Sequence, residues 1–88
     1  MPKYNVEIKV EAQPKDINSW NDIARSAVTN LAVETYTPIF NVNPAGGLIS
    51  KIDIDSCNVF TSTDLQRELG KLAVSERIPG RILEVVVK

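Results

Sequence analysis

The sequence predicts an α+β domain: a two-layer sandwich in which two helices cover one face of a four-stranded sheet. Three observations carry this. Apolar residues recur with a period of two in three runs and with a helical period in two others, and a weaker sixth run fits between them. Their order is strand, helix, strand, strand, helix, strand. The stretches that separate them are short and rich in proline, glycine, asparagine and aspartate, so no long linker interrupts a single domain over residues 1–88.

Tyr4 to Ala12 is the clearest strand. Tyr4, Val6, Ile8, Val10 and Ala12 share one face, and Asn5, Glu7, Lys9 and Glu11 share the other. That contrast means one buried face and one face open to water or a partner. Gln13-Pro14-Lys15-Asp16 breaks the run. Helix follows, with Ser19 and Asp22 placed as a capping-box variant and Asp16 as a competing start. Trp20, Ile23, Ala24, Ala27, Val28 and Leu31 form its apolar stripe. Thr37-Pro38 ends it, because the residue before proline avoids helical geometry.

Pro38 to Asn43 reads as an edge strand with Phe40 and Val42 on one face and Ile39, Asn41 and Asn43 on the other. Asn43-Pro44-Ala45-Gly46-Gly47 is turn chemistry. Leu48 to Ser56 resumes the alternation, with Leu48, Ile52 and Ile54 inward and Ile49, Lys51, Asp53 and Asp55 outward. Thr63 with Gln66 three residues on marks a second helix start, and Leu65, Leu69, Leu72 and Ala73 make its stripe, with Gly70 inside. Ile78-Pro79-Gly80 stops it. Arg81 to Lys88 closes the chain as a strand, with Leu83, Val85 and Val87 on one face and Ile82, Glu84 and Val86 on the other. The first and last strands are expected to pair antiparallel. Trp20, Ile23, Leu31, Leu65, Leu69 and Leu72 are the expected helical core.

Chains with this element order most often form the ferredoxin-like βαββαβ sandwich, here expected with its first and third strands central and parallel. The likeness is one of fold and carries no activity.

Composition narrows the function classes. Ten basic residues face eleven acidic ones, a net charge of −1, so a protein that wraps nucleic acid is disfavoured. The third strand also carries acids where an RNA-recognition sheet would carry stacking rings. The chain has no histidine, which removes the common serine-hydrolase triad and most zinc sites. Cys57 stands alone; without a histidine base it reads as a partly buried structural thiol. A lone cysteine, no apolar leader and no apolar run of spanning length lead us to expect a cytoplasmic protein with no membrane role. A chain of 88 residues buries only about 60–65% of the surface that its unfolded form exposes, so modest stability is expected.

Three further patterns could carry chemistry: an acidic set, a glycine turn and a basic bias. Asp53 and Asp55 lie two apart on one strand, and Glu7 and Glu11 belong to a strand that can neighbour it, which is enough carboxylate for magnesium or calcium. Lys9 and Lys51 fall among them, so a solvated, cross-paired face is the preferred account. The Pro44-Ala45-Gly46-Gly47 turn lacks the lysine and the following helix of a phosphate loop and reads as a hairpin. Arg67, Lys71, Arg77 and Arg81 give the last third a mild basic bias diluted by Glu68 and Glu76.

The open sheet face remains. Ile39, Ile49, Ile82 and Val86 are expected to supply apolar area there, with Glu7, Lys9, Lys51 and Asp53 as a charged rim. The sequence therefore points to a non-enzymatic protein-interaction domain without a cofactor: an accessory factor, regulator or inhibitor of a larger assembly, of a kind common on phages and mobile elements. Its partner is an unidentified protein or a second copy in a homodimer. The alternative is a small-ligand or metal-binding regulatory domain.

Overall fold

A computed structural model describes residues 3–32, 39–43, 47–55 and 58–88, apart from the side chain of Ile52. The elements are β1 (Lys3–Glu11), α1 (Pro14–Ala32), β2 (Phe40–Asn43), β3 (Leu48–Asp55), α2 (Ser62–Ser75) and β4 (Arg81–Val87). The class is α+β, as the periodicities predict. Cys57, Pro38 and the Pro44-Ala45-Gly46 turn lie outside the described residues.

Both helix starts differ from the expected ones. α1 opens at Pro14, five residues before Ser19. The proline that ends the first strand also begins the helix, since its fixed φ and missing N–H suit the first helical position. The Asp16 amide closes the first turn on the Gln13 carbonyl at 2.8 Å. α2 is capped by Thr61 rather than Thr63. The Thr61 hydroxyl accepts from the Asp64 amide at 3.2 Å, and the Asp64 carboxylate accepts from the Thr61 amide at 2.9 Å. The Thr61 amide, and then its hydroxyl, hold the Asp64 carboxyl below its ordinary range. Thr61 with Asp64 and Thr63 with Gln66 share the three-residue spacing of a capping box, and the pair that ends in a carboxylate is the one that forms.

α2 stops before Pro79. Arg77 adopts φ +54, its amide donates to the Val74 carbonyl at 3.3 Å, and the Ile78 amide donates to Ala73 at 3.0 Å. This is a Schellman closure with arginine where glycine is usual. It turns Ile78 back onto the core.

Among the described residues the sheet has four strands in the order β2-β3-β1-β4, and every neighbouring pair is antiparallel. β1 and β4 pair as expected. β1 and β3 are central as expected but antiparallel, which corrects the parallel pairing. Each strand-helix-strand unit joins two parallel strands, β1 to β2 and β3 to β4. Each unit leaves one position open, and the other unit's first strand fills it in the opposite sense.

The core lies on one sheet face. Val6, Ile8, Val10, Ile49, Ile54 and Val85 meet Ile17, Trp20, Ile23, Ala24, Ala27 and Val28 of α1 and Leu65, Leu69 and Ala73 of α2 in one buried cluster. Leu31 and Leu72, expected inside, are only partly buried at its margin. The helices also meet each other, where Asn30 donates to Glu68 at 3.2 Å. Gly70 does not serve that contact: a Cβ there would meet nothing within 4 Å. Gly70→Ala is therefore expected to raise stability by about 0.5–1 kcal/mol through lost unfolded-state freedom. Urea melts check it, and a destabilised variant would mean that the glycine has a structural task after all.

Candidate functional site

The face turned away from the helices follows from strand register, because paired residues in an antiparallel ladder point the same way. One uncovered row runs Asn41, Ser50, Glu7, Val86; the next runs Asn43, Leu48, Lys9, Glu84. Lys3 pairs with Asp55 below them, and Glu11 pairs with Arg81 above.

Two irregularities decide which predicted residues reach this face. Between Tyr4↔Ile54 and Val6↔Lys51, Asn5 of β1 stands against two residues of β3, Ile52 and Asp53. Asp53 absorbs the extra residue at φ +51, a conformation that aspartate tolerates better than most side chains. The bulge shifts the alternation by one. Ile49 is consequently opposite Ile8 and fully buried, and Lys51 is opposite Val6 and only 5% exposed, whereas Leu48 pairs with Lys9 on the uncovered side. The outward placement of Ile49 and Lys51, and the inward one of Leu48, are corrected. Lysine fits an inner row because its methylene stem is apolar and only its head needs polar company.

β4 repeats the device. Lys9 and Val10 are adjacent, but their partners Glu84 and Ile82 are separated by Leu83. Ile82 lies on the Val10 side and packs against the core, while Leu83 is 54% exposed. The two residues exchange the places that alternation assigns them, so Ile82 is not a surface residue of the open face. Of the eight expected interface residues, Glu7, Lys9 and Val86 stand on that face. Asp53 is exposed in its bulge, and Ile39, 76% exposed, stands just before β2. Sequence reasoning missed Leu48 and Leu83, and no residue in either run marks its bulge.

The charges on this face are largely matched. The Lys9 ammonium lies 3.8 Å from the Glu84 carboxylate. Arg81 donates through Nε and Nη2 to Glu11 Oε2 at 3.2 and 3.0 Å. Both pairs are exposed, so each contributes at most about 1 kcal/mol. The four acids do not converge. Glu11 is engaged by Arg81, Glu7 faces Ser50, Asp55 faces Lys3 and Asp53 has left the alternation. No group of three potential metal ligands occurs among the described residues. The basic bias of the last third is also dispersed: Arg77 forms the helix stop and Arg81 is held by Glu11, while Arg67 and Lys71 remain on the exposed side of α2.

A cleft opens where the β1–α1 connection meets the α2–β4 connection. This cleft, of about 500 Å³, is lined by Glu11, Ala12, Gln13, Lys15, Asp16, Pro79 and Gly80. Pro79 on its wall is held by the buried Trp20, whose indole N–H donates to the Pro79 carbonyl at 2.9 Å. The misplaced helix start hid it from sequence reasoning. Lys15 falls in the expected strand break and Asp16 is at most a competing helix start there, whereas both lie in the first turn of α1.

No described helix is long and apolar enough to cross a membrane. Comparisons with protein-family models, with curated proteins and with solved structures find no match.

Proposed function

We propose that this chain is a small, non-enzymatic protein-interaction domain on a ferredoxin-like βαββαβ framework, serving as an accessory factor, regulator or inhibitor of a larger cytoplasmic assembly. The observation that supports it is the exposure of Leu83. The β4 bulge brings a large apolar side chain out of the core, on the same strand whose Val86 lies on the uncovered sheet face. Leu48 adds apolar area to that face, and Lys9, Glu84 and Glu7 border it. Apolar anchors inside a polar rim are the composition of a protein-binding patch.

The double change Leu83→Lys with Val86→Glu tests the reading. Neither side chain belongs to the buried core, so the variant is expected to keep its circular dichroism spectrum and a cooperative melt. Association is expected to weaken by about 10-fold or more, the usual effect of losing an apolar anchor. Sedimentation reads self-association, and affinity capture with mass spectrometry reads a foreign partner. A folded variant that keeps both its oligomeric state and its partners overturns the assignment.

The cleft beside Trp20 favours a second reading, a small-ligand regulatory domain. Its volume falls in the usual range for small-molecule sites, and Glu11, Lys15 and Asp16 offer charges of both signs. On this reading, a thermal-shift screen of small polar metabolites should raise the melting temperature for at least one compound, and Lys15→Ala should abolish that shift. A screen that produces no Lys15-dependent shift removes the reading.

A further inference from the structure

We draw no further inference here: the strongest candidate, the outer face of α2 where exposed Val74 stands one turn beyond Gly70 beside Arg67 and Lys71, carries nothing because nothing in the structure shows what covers it.

Discussion

Leu69→Ala is expected to lower the free energy of unfolding by about 2–5 kcal/mol, through lost burial and the cavity left behind. Leu69 is fully buried on α2, between Leu65 and Ala73 along the helix, and shares a core with Ile8, Trp20 and Ile23. Sheet, first helix and second helix all contribute to that core, so no single element can move to refill the space without disturbing the others. A domain of this size has about 5–10 kcal/mol in total, and the substitution removes a large part of it. Leu72→Ala is the matched comparison. Its side chain is only partly buried at the edge of the same helix stripe and should cost distinctly less. Urea unfolding of the two variants separates them. A loss below about 0.5 kcal/mol for Leu69→Ala, or equal losses at the two sites, would mean that the α2 stripe is not packed on the sheet as described.

The physical basis of that core is legible wherever the sequence offers one phase of alternation. β1 places polar or charged residues at every outward position from Asn5 to Glu11, so its buried face is fixed and the structure agrees. β3 and β4 are different. Leu48 and Ile49 are adjacent, as are Ile82 and Leu83, and Val85, Val86 and Val87 run together. Either phase then satisfies the hydrophobic pattern locally, and a one-residue bulge can switch between them within the strand. The expected interface was built on a single phase along each strand, which is why Ile49, Lys51 and Ile82 left it. Only pairing with β1, whose phase is unambiguous, reveals the switch. The helix boundaries fail for a related reason. Pro14 serves equally as a strand breaker and as a first helical residue, and Thr61 and Thr63 each precede an acid or amide by three positions. Element order and type survive these ambiguities because they depend on period. The contents of a face depend on phase, and so does any candidate site on that face.

Gly80→Ala should act in the opposite sense to Gly70→Ala and with greater force. Gly80 has φ +110, where a side-chain-bearing residue is strained. A Cβ at this position would stand 2.5 Å from the Glu11 carbonyl oxygen, 2.9 Å from the Ala12 Cβ and 3.2 Å from the Trp20 indole nitrogen. The first of these neighbours is backbone at the end of a central strand and cannot rotate away. Relief requires the α2–β4 connection to lift from β1, which stretches the Trp20–Pro79 hydrogen bond and pulls on the Arg81–Glu11 pair. Backbone strain of about 1–3 kcal/mol and a similar overpacking cost give an expected loss of roughly 2–5 kcal/mol. Trp20 is the only tryptophan of the chain and is buried, so its native-state fluorescence reports on this junction directly. The expected result is a lower urea midpoint together with a red-shifted native emission, as the indole loses its partner and gains water. If Gly80→Ala melts within about 0.5 kcal/mol of the parent and its emission is unchanged, the connection does not press on β1, and the cleft beside it has another shape.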